Sequence, residues 1–166
     1  MTTAIKERAS SREFDFWMGK WNVHNRRLVH RLAGSDEWDE FESKVAARPL
    51  PGGLGNEDVF CTDYGGGFLA MSFRFYDPDN GLWAIYLADS RRPGLLDPPV
   101  IGSFSGDVGI FEGDDTLDGR PIRVRFIWSG VTTPKPRWEQ AFSDDGGETW
   151  ETNWVMDFTR ALEVAA

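Results

Sequence analysis

The chain is predicted to fold as an all-β protein, a single-domain antiparallel up-and-down barrel of about ten strands with one short N-terminal helix. Three observations carry this expectation. Short segments alternate apolar and polar side chains with period two, and clusters of Gly, Pro, Asn and Asp punctuate them. Eight Trp and twelve Phe in 166 residues favour strands, and they bury large areas around a β core or an aromatic-lined cavity. Neither a long helical periodicity nor an internal repeat of about 20 to 50 residues is visible, which disfavours α/β folds, propellers and solenoids.

Residues 1–10 are polar and are expected to be a flexible N-terminus ahead of a barrel domain over 11–166. From Ser11, the stretch SREFDFWMGKW offers a Ser N-cap, Glu13 and Asp15 in a first turn, and Phe14, Phe16, Trp17 and Met18 before Gly19. This reads as a short apolar helix closing one end of the barrel. Residues 21–32 read as the first strand, with Trp21, Val23, Asn25, Arg27 and Val29 on one face and Asn22, His24, Arg26, Leu28 and His30 on the other. Residues 37–47 alternate again, setting Phe41, Ser43 and Val45 opposite Glu40, Glu42 and Lys44. The segment RPLPGGLGN at 48–56 is expected to be a loop at a mobile rim.

Strands are expected at 57–64, 68–76 and 82–90, the last apolar on both faces and so covered on both, by the N-terminal helix or a partner subunit. A proline-rich loop at 91–99 precedes strands at 100–104 and 108–112, and residues 114–120 read as a polar turn. Residues 122–128 place Val124, Phe126 and Trp128 inward and Arg123 and Arg125 outward. The final hairpin spans 138–160. Within it, Ser143, Asp145, Gly147, Thr149 and Trp150 form S-x-D-x-G-x-T-W, which resembles the Asp-box, a structural hairpin turn best known from sialidase propellers.

At this length one domain can bury roughly two-thirds of its unfolded surface without staples. The formal charge of −9 comes with scattered basic residues, so nucleic acid and anionic membranes are not expected partners. The single Cys61 and an N-terminus without an apolar core point to the cytoplasm. No apolar run reaches the ~18 residues of a membrane helix.

FDFWMGKWNV, YDPDNGLW and SDDGGETWETNWVMDFTR together resemble a group of uncharacterised bacterial proteins with a lipocalin-like, calycin-type barrel. The resemblance spans nearly the whole chain. It implies a barrel with an internal cavity that one end can close, and it brings no shared activity or catalytic residues. Nitrobindin-like barrels are more distantly similar and bind haem through a histidine near the C-terminal end. Here the two histidines, His24 and His30, both fall in the first strand, so no haem or other cofactor is expected.

Nor is a metal expected. His24 and His30 lie roughly 20 Å apart at strand rise. The DPDNG run has its glycine one position early for a calcium loop, and Asp114, Asp115 and Asp118 read as a solvated loop. Cys61 lacks an activating neighbour, and no G-x-S-x-G elbow is present.

Strand parity gives the site expectation. The faces carrying Trp21, Phe73, Phe75, Trp128, Phe142 and Trp154 are apolar enough to be the interior, with Asn25, Arg27, Asp89 and Gln140 as polar residues on such faces. The expected ligand-binding set is Trp21, Asn25, Arg27, Phe75, Trp83, Asp89, Trp128, Gln140 and Trp154. An inward Arg27 needs a carboxylate such as Asp89, a ligand anion, or water at an open mouth. The leading function is binding of a small, partly aromatic or apolar organic molecule. The alternatives are a cofactor-independent isomerase, cyclase or hydrolase, and an oligomerisation protein, a homodimer among them.

Overall fold

Ten antiparallel strands close on themselves in the computed structural model, which describes residues 11–162. They are β1 Gly19–Leu28, β2 Trp38–Pro49, β3 Gly55–Thr62, β4 Phe68–Asp77, β5 Leu82–Asp89, β6 Val100–Ser105, β7 Val108–Leu117, β8 Arg120–Ser129, β9 Arg137–Ser143 and β10 Glu151–Arg160. Each pairs with its neighbour in sequence, and β1 closes the barrel against β10 in the register Trp21↔Arg160 to Arg27↔Trp154. The expectation for residues 1–10 falls outside the described residues.

Period-two alternation sets the inner face. On β1 Trp21, Val23 and Asn25 are buried and their neighbours exposed, on β2 Ser43, Val45 and Ala47, and on β8 Ile122, Val124, Phe126 and Trp128. An up-and-down chain sends alternate connections to opposite ends. Connections 29–37, 63–67, 90–99, 118–119 and 144–150 therefore share one end, and the N-terminal segment shares the other with 50–54, 78–81, 106–107 and 130–136.

The expected N-terminal helix is a single 3-10 turn, Asp15–Trp17, because the apolar run FDFW ends at Gly19, whose backbone sits at φ 111°. It plugs its end of the barrel. Phe14 meets Trp83 edge-on at 4.8 Å, and Trp17 meets Trp128 and Phe158 at 4.7 Å while stacking on Trp21 at 5.4 Å. Such aromatic pairs contribute about 0.5–1.5 kcal/mol each beyond the area they bury. The Arg160 guanidinium caps the plug over the Trp21 ring and donates to the carbonyls of Phe16 and Met18.

Other boundaries differ from expectation for identifiable reasons. The loop expected at 48–56 is confined to 50–54, since β2 runs on to Pro49, β3 begins at Gly55, and the Leu50 amide donates to the Gly55 carbonyl at 2.8 Å. The polar DDTL run stays in β7 because Asp114 pairs across to Arg123 on β8. The first strand stops at Leu28, so His30 and Arg31 lie in the turn. The β5–β6 seam has three residue pairs, Trp83↔Gly102 to Ile85↔Val100, and beyond it the 90–99 loop folds back so that the Asp97 amide donates to the Leu87 carbonyl at 2.8 Å.

The Asp-box turn is architectural in detail. Ser143 Oγ accepts from the Gly147 amide at 2.9 Å and donates to Asp145 at 2.7 Å; Gly146 and Gly147 take the left-handed φ values of 78° and 93° that the turn needs. The Thr149 hydroxyl and amide, with Ser143, hold the Asp145 carboxyl well below its ordinary range. A depressed folded-state value means that this stabilisation is complete above the ordinary carboxylate range and is lost as pH falls below that range through the folded-state value. Asp145→Asn is accordingly expected to lower the urea midpoint at neutral pH, and the gap from the parent should close in acid. A gap that does not change with pH would reject this role for the charge.

Candidate functional site

Above the plug the barrel is hollow. A cavity of about 520 Å³ extends from Trp17 to the opposite mouth. Its wall is apolar and aromatic, with Val45, Phe60, Phe126, Trp128, Trp138, Trp154 and Phe158, while arginines and aspartates gather at the mouth. Aromatic density on the inner faces places this wall here, since period-two alternation sends every second side chain of each strand inward.

Arg74 and Asp58 form the polar floor. Arg74 Nη1 lies 2.6 Å from Asp58 Oδ2, both side chains about 5 % exposed, and it donates to Asn56 Oδ1 at 3.0 Å. Asp58 also accepts from the Trp17 indole at 2.9 Å, which ties the plug to β3. The guanidinium stands 5.1 Å from the Phe14 ring centre and 5.9 Å from those of Trp17 and Trp128. Arg74 Nε and Trp128 Nε1 are buried there without a partner among the described residues.

Arg27, Arg31, Arg91 and Arg92 face the mouth with Asp89 and Asp97. Two of these cations are neutralised. Arg91 binds Asp89 through Nε and Nη2 and lies 3.6 Å over the Phe68 ring, and Arg92 pairs with Asp97 at 2.7 Å. The bond from Arg91 keeps the Asp89 carboxyl below its usual range. Arg27 forms no ion pair with a carboxylate among the described residues and lies 4.6 Å over Trp154. Burial, followed by repulsion from Arg31 and Arg91, pushes its guanidinium down to about 10. Burial likewise lowers Arg31, with Asp118 and Glu151 acting against the shift and Arg91 adding to it. The Tyr64 phenol donates to Asp39 at 2.5 Å, which raises it.

Of the nine residues expected at the site, the structure brings Arg27, Asp89, Trp128, Gln140 and Trp154 to the cavity wall. The other four lie elsewhere. Trp21 and Trp83 point inward but are packed into the plug, Trp21 donating to the Trp17 carbonyl and Trp83 to Glu13. Asn25 is fully buried behind the wall, where its amide donates to Ser43 Oγ at 2.8 Å and its carbonyl accepts from Trp154 Nε1 at 3.1 Å. It positions Trp154 rather than reaching the cavity. Phe75 is on the outer face of β4 against Tyr86, and Phe73 shares that face; Arg74 takes the inner position because Asp58 and Asn56 satisfy it there.

Arg27 does not pair with Asp89, because Arg91, two residues along, reaches it first. Gln140 lines the wall with its amide committed to Asn153 Oδ1 at 2.8 Å, at the bulge between Thr152 and Trp154. Sequence reasoning missed Arg31 and Arg74. For Arg31 strand parity gave no signal, since it lies in the turn beyond the end of β1 at Leu28. For Arg74 it gave none either, as its neighbours Phe73 and Phe75 are the more apolar pair.

Neither histidine lines the cavity. His24 is on the outer face, with Nδ1 2.5 Å from Glu42 and Nε2 3.3 Å from Glu40, and His30 lies 3.9 Å from Glu37. The Glu42 bond raises His24 above its ordinary value. Among the described residues no three His, Cys, Asp or Glu side chains converge on a metal-sized site, and Cys61 is exposed. No helix among them is long and apolar enough to cross a membrane.

No protein-family model matches the chain, and no curated protein matches it in sequence. Among solved structures it is similar to the S-type phycobiliprotein lyase CPES from Guillardia theta, over 99 % of both chains, with a TM-score of 0.58 and 12 % identity. That similarity shows a shared barrel fold.

Proposed function

We propose that this protein binds a small, partly aromatic or apolar organic molecule inside the barrel, in the cytoplasm, and that it is kin to the uncharacterised bacterial lipocalin-like proteins its opening and closing motifs resemble. The observation that carries the proposal is the cavity: about 520 Å³, aromatic along its wall, with a few polar groups at its two ends. That is the usual form and size of a small-molecule site. The phycobiliprotein lyase of like fold makes a tetrapyrrole-type molecule a natural member of the class to test. Binding is favoured over catalysis because the wall supplies no ready base. The lining carboxylates are already engaged: Asp58, Asp89, Asp97 and Asp114 each pair with an arginine, and Asp115 accepts from the Thr116 amide.

A role in assembly has one observation in its favour. The outer face of β4 and β5 carries Met71, Phe73, Phe75, Ala84 and Tyr86, all half-buried, where a solvated barrel wall would be polar. A second copy of the chain is the partner proposed for it.

Native mass spectrometry tests both. The purified protein is expected to carry a small-molecule mass that is absent after denaturation, and the same spectrum reads monomer or dimer. A bare mass, together with no binding of the neutral probe N-phenyl-1-naphthylamine, would reject the cavity reading.

A further inference from the structure

The mouth of the barrel carries a charge pattern that the fold does not need. In a chain of net charge −9, every arginine among the described residues has a carboxylate or backbone carbonyl for a partner except two, Arg27 and Arg31. Both line the same cavity. Both rest on its aromatic wall, Arg27 over Trp154 at 4.6 Å and Arg31 over Phe142 at 5.7 Å. They are close enough to repel, and Arg91 adds to the field on each.

Half-burying two like charges is unfavourable unless something compensates them. None of the nearby carboxylates among the described residues forms an ion pair with either. Asp89 is taken by Arg91, Asp97 by Arg92, Asp114 by Arg123, and Asp39 by the Tyr64 hydroxyl. Asp115 accepts from the Thr116 amide and Glu151 from the Leu32 amide. Asp118 and Glu151 act on Arg31, and Asp89 on Arg27, only through space.

We propose that the ligand is an organic anion, an aromatic or aliphatic body bearing a carboxylate or similar oxyanion, with its head group held between Arg27 and Arg31 at the mouth. The inference deepens the cavity reading and rests on it. Guanidinium forks suit a planar oxyanion, and a partly desolvated site makes such charge-assisted bonds strong. The body then lies along Trp154, Trp138 and Trp128, pointing toward the Arg74–Asp58 floor. The committed Asp89–Arg91 pair leaves the net positive charge on the two free arginines, which fixes where the head group sits.

Two probes sharing one body separate the parts: N-phenyl-1-naphthylamine, which is neutral, and 8-anilinonaphthalene-1-sulfonate, which adds a sulfonate. Both are titrated into the whole protein, with energy transfer from the cavity tryptophans as the signal. The sulfonate is expected to bind about tenfold tighter than the neutral probe at low salt, the size of one charge-assisted bond. In Arg27→Gln/Arg31→Gln that ratio is expected to fall to about one, and the single Arg31→Gln variant, in the turn, gives a partial fall if the double variant does not fold.

Binding of neither probe rejects the cavity reading and the inference with it. Equal binding of both in the parent keeps the cavity and overturns the anion. An advantage that is undiminished in a folded Arg31→Gln variant, or that survives in a folded double variant, overturns the assignment to these arginines. Sodium sulfate that displaces the sulfonate probe better than sodium chloride at equal ionic strength overturns an organic ligand in favour of a free inorganic anion.

Discussion

Asp58→Ala is expected to lower the free energy of unfolding by about 3–5 kcal/mol, read from the urea midpoint, because it strands a buried charge. The Arg74 guanidinium would keep Asn56 and lose the carboxylate 2.6 Å away, in a site where its Nε already lacks a partner. The Trp17 indole would lose its acceptor in the same step. An apolar replacement of both partners, Asp58→Leu with Arg74→Met, should cost less than Asp58→Ala alone, since no charge is left unpaired. If the single variant loses under about 1 kcal/mol, Arg74 reaches water through the cavity and the pair is not a desolvated one.

Trp17→Ala is the second large effect, expected to cost about 3–5 kcal/mol as a buried aromatic truncation. The indole is at most 2 % exposed and touches Trp21, Trp128 and Phe158 at once, so no neighbour can collapse into its place without breaking another pair. It also forms the floor of the cavity. Its loss should therefore weaken binding of the neutral naphthylamine probe as well as stability. A variant with parental stability would show that the 3-10 segment lies on the barrel without plugging it.

Much of the architecture was legible before any coordinates. Turn chemistry marked the strand ends, and the inner faces of β1, β2 and β8 could be read from Trp21, Val45 and Phe126 because their opposite faces are largely polar, while on β10 Trp154 faces inward although Val155 is buried on the other side. Legibility failed on β4, where Phe73 and Phe75 looked like core and are on the outside. It failed again for Asn25, whose parity was right and whose role was not, since its hydrogen bonds run to Ser43 and Trp154 behind the wall.

A period of two, Gly- and Pro-bearing turns and a heavy aromatic load were enough to specify a ten-stranded barrel and to put Arg27, Gln140 and Trp154 on its inner face. Those are local signals, carried by neighbours in the chain. Which of two apolar faces of β4 points inward, and which arginines stay unpaired, were decided by partners far away in sequence. Arg74 turns inward because registry with β3 sets Asn56 opposite it and Asp58 alongside. Arg27 and Arg31 are left free because Arg91 claims Asp89. Burial of charge is settled by pairing, and pairing across a closed sheet exists only once the sheet has closed.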